Sequence, residues 1–319
     1  MAAKSNSVLT RRRSLDIVHR WQGNPLIDIN DLSFQCSDIH NATAVRFRDD
    51  ILLLVTIEQL SGSRSIHLAR PTPDGYYDVE RQPFLSPSNE QKYKQHESMG
   101  VMDARVTFLD GVYYIIYTAF GDHGFRLALA KTQDFQSIQR MGLISEPDTK
   151  AGTLFPAKIN GRYARLERPR EGGSIWVTYS DDLLHWGSSE LVISPRGGFW
   201  DTSRIGPAAT PIEIDQGWLV LYYGVRDTSA GPIYRAGTVI LDKYQPTQIV
   251  GRANIPILSP REDYERLGDV PNLVFPTGAL ADDSGNVKIF YGAANSCICM
   301  GTASIEEIVA NCVHSEEEY

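Results

Sequence analysis

GVYYIIYTAF, residues 111–120, decides the fold class. A glycine turn opens it, β-branched and aromatic residues fill it, and nothing in it follows a helical period, so it reads as a strand. The same kind of strand recurs as DILLLVTIEQ from Asp50, SIWVTYSDD from Ser174, GWLVLYYGV from Gly217 and NVKIFYGAA from Asn286. These copies return at intervals of roughly 45 to 65 residues, the spacing of propeller blades. After most of them comes a run of small and apolar residues, RSIHLARP, FRLALAKT, YRAGTVILD and CICMGTAS, which reads as an antiparallel neighbour within one blade. Only SIEEIVANCV, near the C-terminus, has a convincing helical period. The expected fold is all-β: a five-bladed β-propeller with a short C-terminal helix. A two-sheet sandwich would place turn signals closer together and without the longer repeat. The expected organisation is an N-terminal arm over residues 1–20 and one catalytic propeller over 21–319.

Bulk properties narrow the partners. The 319 residues are 42% hydrophobic and 22% charged, ordinary for a soluble globular chain that buries a large core. A net charge of -8 discourages binding to nucleic acid and to anionic membranes. A small neutral ligand suits it better. The N-terminal stretch MAAKSNSVLTRRRSLDIVHRW is basic but lacks the apolar core of a signal peptide, so the expected location is cytoplasmic. Of the four cysteines, Cys297 and Cys299 are one residue apart with no matching Cys or His pair, so they read as buried strand cysteines rather than zinc ligands, and no metal is expected.

Individual candidates are weak when taken singly. In MDARVT, Asp103 and Arg105 stand two apart, which on a flat strand puts both on one face, so spacing alone reads them as a structural ion pair. KAGTLFPAKINGRYARLERPR, from Lys150 to Arg170, has the NGRY turn of a hairpin and a charge density high for a strand pair, which taken by itself reads as a solvated rim. Arg204 precedes Gly-Pro-Ala-Ala, a stretch too small to fill space, as if backbone approached a ligand there. SDDLLHWG reads as a turn closed by Asp181 or Asp182, with the Trp186 indole packed between blades.

Together these segments are recognisable. MDAR, LFPAKINGRYARLERP, WVTYSDDLLHWG, WDTSRIGPAATPIEIDQGWLVLYYGV, DVPNLVFPTGAL and IFYGAAN, in that order from Asn24 to Ser304, resemble glycoside hydrolase family 130, the five-bladed propellers that include β-mannoside phosphorylases and a few β-mannosidases. The resemblance implies that Asp103 is the single catalytic acid, in a motif where Ala104 replaces the usual proline. That acid protonates the glycosidic oxygen through a hydroxyl of the bound mannose, while phosphate attacks the opposite face and leaves α-mannose 1-phosphate with inversion. Phosphate would be held by Lys150, Arg168, Arg204 and Tyr223, the tyrosine standing where the family has histidine. Asn41, Arg105, Asp122, His123 and Asn295 form the expected substrate-binding set, Asn295 replacing an acid. A turn asparagine and a plain hairpin turn are the structural alternatives for Asn41 and for the Asp122–His123 pair.

Physical reasoning runs alongside that likeness. An inverting glycosidase needs a base to activate water, whereas phosphate is already a nucleophile and needs cations instead. Glu167 is therefore the residue to watch. It could be the base of a hydrolase, or blunt Arg168 beside it, unless strand alternation turns the two to opposite faces. The expected function is inverting phosphorolysis of a β-mannoside without a cofactor, inorganic phosphate being the co-substrate. The alternatives are a β-mannosidase with Glu167 as base and a catalytically silent glycan-binding propeller. The expected partners are a small oligosaccharide and phosphate; a homo-oligomer is open.

Overall fold

The computed structural model describes residues 16–313, so most of the expected arm lies outside the described residues. Its last part is described: His19 and Arg20 pair antiparallel with Thr302 and Gly301 at the edge of the final sheet. The fold is all-β. Described helices are two single turns, Gln91–Lys94 and Asp263–Arg266, a short 3-10 turn at Ile29–Asp31, and Ile305–Val313 at the C-terminal end, as the sequence period leads one to expect. That last helix buries Ile308 and Cys312, one turn apart on a single face. No helix among the described residues is long and apolar enough to cross a membrane.

The strands form five consecutive antiparallel groups. Group one runs Asp38–Phe47, Asp50–Glu58, Arg64–Pro71 and Tyr77–Val79; group two runs Gly100–Leu109, Val112–Gly121, Gly124–Thr132 and Gln139–Leu143. Group three is Thr149–Leu154, Tyr163–Pro169, Ile175–Ser180 and Trp186–Ile193. Group four is Arg204–Pro207 with Ile212–Ile214, then Gly217–Thr228, Gly231–Leu241 and Ile249–Arg252. Group five is Val274–Ala281, Asn286–Ala293 and Cys297–Ser304, completed by the N-terminal pairs His19–Arg20 and Ile27–Asp28. Groups one and two merge into one sheet through the parallel bridge of Arg64 to Gly100. The tyrosine-rich strand is the second of its group in four cases. In group three it is the third, because the NGRY turn makes Tyr163–Pro169 the second strand and moves SIWVTYS one place outward.

Two repeated devices hold the groups. Tyr117, Tyr222 and Tyr291 lie in the YYIIY, LYY and IFY runs of the second strands, and each donates its hydroxyl to a buried acid in the segment entering its group: Glu97 at 2.8 Å, Asp201 at 2.8 Å and Glu265 at 3.0 Å. An arginine from the outermost strand closes each set, Arg140, Arg252 and Arg20 in turn. Each acid is completely buried, so it needs the cation to offset its desolvation, and removing one partner would leave an uncompensated charge. The second device is a layer of threonines, one from each group, on the first strand or, for Thr210, between the two pieces Arg204–Pro207 and Ile212–Ile214. Thr107 Oγ1 donates to the Leu154 carbonyl (3.1 Å), Thr210 to Val106 (3.0 Å) and Thr277 to Ala42 (2.9 Å), while Thr43 Oγ1 accepts from the Val106 amide and Thr153 reaches Thr210. These bonds tie first strands to one another across groups, and the first strand of group five packs on that of group one.

Candidate active site

Seven of the eleven residues singled out from the sequence line one cavity of about 410 Å³: Asn41, Asp103, Lys150, Arg168, Arg204, Tyr223 and Asn295. Every strand group contributes to it. Its residues cluster where first strands begin, second strands end and third strands begin, and the threonine layer lies farther along the first strands as a buried floor.

The strands are not flat there. Pairing slips by one residue at His40/Ala42, Met102/Arg105, Lys150/Thr153 and Pro276/Gly278, four bulges on four first strands. Asn41, Asp103 and Ala151 sit at these slips with left-handed backbone, φ 26°, 57° and 55°, which costs a non-glycine residue of order 1 kcal/mol. A bulge re-aims the side chain it carries. At Asp103 it breaks the alternation that would pair the carboxylate with Arg105. Arg105, 1% exposed, instead donates from NH1 to the Asp103 and Ala104 carbonyls (2.9 and 3.0 Å) and from Nε to that of Ala208. The Thr56 hydroxyl accepts the Asp103 amide at 3.0 Å, so the strained turn is clamped from both sides.

The carboxylate itself meets Asn41, whose Nδ2 donates to Oδ1 at 2.6 Å. Burial alone would raise its pKa; Lys150 foremost, then Arg105, the Asn41 bond and His40, outweigh that and hold it below the ordinary value. Lys150 shows the reverse: burial lowers its pKa, aided by Arg168, Arg64 and Arg170, and opposed by Asp103. Its ammonium lies 4.1 Å from the centre of the Phe125 ring, which stacks on Phe120 at 4.5 Å. Arg168 is paired in register with Lys150 and is 8% exposed, its Nε buried without a hydrogen-bond partner. Arg204 donates to the Tyr234 hydroxyl at 2.7 Å and has Asp227 at 3.6 Å. Asp103 is the one carboxylate among the described lining residues.

The family model for glycoside hydrolase family 130, described as beta-1,4-mannooligosaccharide phosphorylase, matches residues 10–314. The chain belongs to this family. It is 33% identical to the 1,2-beta-oligomannan phosphorylase of Thermoanaerobacter sp. over 71% of this chain and 74% of that one. It is 28% identical to the beta-1,4-mannooligosaccharide phosphorylase of Ruminococcus albus over 92% and 90%. The solved structure of Listeria innocua beta-1,2-mannobiose phosphorylase, in complex with beta-1,2-mannobiose, superposes with a TM-score of 0.84 at 27% identity, covering 92% of this chain and 99% of that.

Within this family 130 chain, four expected site residues lie outside the cavity lining. Arg105 is beneath Asp103 and bound to backbone, so it supports the acid rather than contacting a ligand. Asp122 and His123 are exposed on the hairpin turn between Val112–Gly121 and Gly124–Thr132; Asp122 accepts from Ser98 (2.9 Å) and His123 meets Gln95 (3.4 Å). The loop carries Phe125 to the cavity, but its polar pair stays outside. Glu167 is turned away: Arg165 donates to its Oε2 from Nε (2.9 Å) and NH2 (2.7 Å), and the Arg165 guanidinium lies 4.2 Å from the Trp186 ring centre. Alternation had allowed for this, since Arg168, its neighbour, faces in. The small Gly-Pro-Ala-Ala stretch also has another reason. A Cβ on Gly206 would fall 2.5 Å from the Tyr223 hydroxyl, so a protein ring, packed 4.4 Å from Phe275, takes the space first assigned to a ligand. The Asp182 turn is as expected: its Oδ1 accepts the Leu184 and His185 amides, and Trp186 Nε1 donates to Leu183.

Sequence reading missed His40, Arg64, Phe120, Phe125 and Tyr234 in the lining. For Arg64 a signal existed: it faces Glu58 directly across a tight hairpin, and opposite charges at such a pair mark a fixed side chain.

Proposed function

We propose that this chain is an inverting phosphorylase of β-linked mannosides, with the cavity as its active site and one five-bladed β-propeller, from about residue 21 onward, as its catalytic domain. Five consecutive antiparallel groups whose first strands touch one another and share a threonine layer support the propeller. The matched relatives, named for β-1,2- and β-1,4-linked mannoside phosphorolysis, support the reaction.

In this reading Asp103 is the acid and Asn41 orients it, while Lys150, Arg168 and Arg204, assisted by the Tyr223 hydroxyl, hold inorganic phosphate for attack on the anomeric carbon. Asn295 offers one acceptor and one amide donor to the mannose. No cofactor is needed, because phosphate supplies the nucleophile and the cations stabilise its charge. What carries phosphorolysis over hydrolysis is the orientation of the Thr149–Leu154 and Tyr163–Pro169 pair. Lys150 and Arg168 face the cavity, and Glu167, the base a hydrolase would need, is bonded to Arg165 behind it. Incubating β-1,2- and β-1,4-mannobiose with and without phosphate tests this. Mannose 1-phosphate formed only with phosphate is the expected result; mannose released equally in both, without sugar phosphate, overturns it.

A further inference from the structure

Arg64 is a cation of the cavity that neither the family motifs nor the phosphate site accounts for. It opens the third strand of group one, and its side chain is 26% exposed. Its Nε and NH2 lie 2.7 Å from Glu58 Oε2, and the same oxygen meets His40 Nε2 at 3.3 Å. Its charge is thus offset by a carboxylate held in place. The remaining amine NH1 reaches the Met102 sulfur at 4.0 Å, a weak acceptor, which leaves its donors to the cavity. The Phe120 ring lies 5.9 Å from the guanidinium carbon.

Position along the wall identifies what such a group would meet. Arg64 is bridged to Gly100, which lies farther from the threonine floor than Asp103 does on the same strand. Met102, beside NH1, is the residue before Asp103. The guanidinium therefore lines the same cavity as the acid, on the mouth side of it, in contact with the residue that precedes the acid. In the phosphorolysis reading, a sugar placed there would be the one outside the bond being broken, which has to depart through the mouth.

Resting on the phosphorolysis reading, we propose that Arg64 donates hydrogen bonds to hydroxyls of the leaving sugar, and that Glu58 keeps this arginine from capturing phosphate. A guanidinium held at 2.7 Å by a half-buried carboxylate keeps its planar donors but loses most of its pull on an anion, which suits a neutral polyol, whereas Arg204, with the exposed Asp227 farther off at 3.6 Å, keeps more of it. The apolar face of Phe120 complements the C–H face of that sugar. A phosphate held at this position would block the leaving sugar, so neutralising Arg64 also directs phosphate to the Lys150 side.

The test is steady-state kinetics in both directions on Arg64→Lys, Arg64→Met and Glu58→Gln, with circular dichroism confirming that each variant is folded. In the synthetic direction, from mannose 1-phosphate with mannose or glucose as acceptor, Arg64→Met should raise the acceptor KM about tenfold while the KM for mannose 1-phosphate stays the same. Arg64→Lys, which keeps charge but not the planar fork, should recover only part of it. Glu58→Gln should bring inhibition by phosphate at concentrations that merely saturate the wild type. An unchanged acceptor KM in both Arg64 variants, or a raised phosphate KM in its place, overturns the inference and leaves phosphorolysis intact. A wild type that forms no sugar phosphate from any β-mannoside overturns both.

Discussion

The two walls of the cavity hold their cations in opposite states. On the group three wall, Lys150 and Arg168 face inward with no ion pair among the described residues, and the Arg168 Nε lacks even a hydrogen bond. On the group one wall, Arg64 is held at 2.7 Å by Glu58, with His40 on the same oxygen. Counted by charge the walls look alike; by partners they do not. A largely buried cation with no carboxylate in direct contact has lost water for little in return, although Asp103 acts on Lys150 across the cavity, and an incoming phosphate regains that interaction. A paired one offers direction without net pull. The contrast teaches that what a cation can bind depends on what already faces it.

Asp103 stands between the walls, and its replacement has the largest expected effect. Asp103→Asn keeps the shape and the Asn41 neighbour but removes the proton, so kcat for phosphorolysis should fall by about 10²- to 10⁴-fold. Rapid-quench or steady-state assay of mannose 1-phosphate release measures it. Retained activity would assign the acid elsewhere and remove the reason for reading the walls around this residue.

Glu167 tests a third state, a cation neutralised outside the cavity. Arg165 is 2% exposed, and Glu167→Gln leaves its charge buried among neutral acceptors only, the glutamine oxygen and the Ile144 carbonyl, which should cost about 3 kcal/mol of stability by denaturant unfolding. The folded fraction should keep its phosphate-dependent kcat. A collapse of kcat without loss of stability would instead make Glu167 part of the chemistry and break the comparison.

On the free wall, Lys150→Ala or Arg168→Ala should raise the KM for phosphate by about 10- to 100-fold, the loss of one charge-assisted hydrogen bond, with little change in the KM for the mannoside. Equal effects on both substrates would mean that the wall is not divided by ligand.

Much of this arrangement was legible beforehand, and the exceptions have physical causes. Strand composition and turn signals located most strands, and alternation alone allowed Glu167 and Arg168 to part. The shift of SIWVTYS to third place came from a hairpin, NGRY, that was itself read correctly but not counted toward the strand order of its group. The bulges were not legible, because Asn41, Asp103 and Ala151 adopt positive φ without being glycine, and the Asp103 turn is clamped both by its near neighbour Arg105 and by Thr56, 47 residues away along the chain. The Tyr117–Glu97–Arg140 lock and its two relatives likewise join residues distant in sequence. The tyrosines could be seen to recur, but their acids sit in irregular entry segments with no period to mark them.

The smallest expected effect bears on how the two walls communicate. Without ligand, Lys150 is the foremost influence holding the Asp103 carboxyl below its ordinary value, which keeps it ionised at neutral pH and unable to act as an acid. An anion bound to Lys150 and Arg168 offsets those charges, and the carboxyl pKa must then rise. The sign follows: anion binding takes up protons, and the uptake grows as pH falls from neutral toward the acid range. Sulfate is the probe, because its own charge stays constant there whereas phosphate titrates. His40 and Tyr223 share the cavity and remain in Asp103→Asn, so the difference between wild type and that variant isolates the carboxyl. Calorimetry in buffers of different ionisation enthalpy should find a fraction of a proton taken up per sulfate by the wild type and less by Asp103→Asn, with sulfate affinity rising more steeply toward acid pH in the wild type than in the variant. If both proteins take up the same amount, the carboxyl does not sense the anion, and phosphate would have to find an acid already protonated by the sugar side of the cavity.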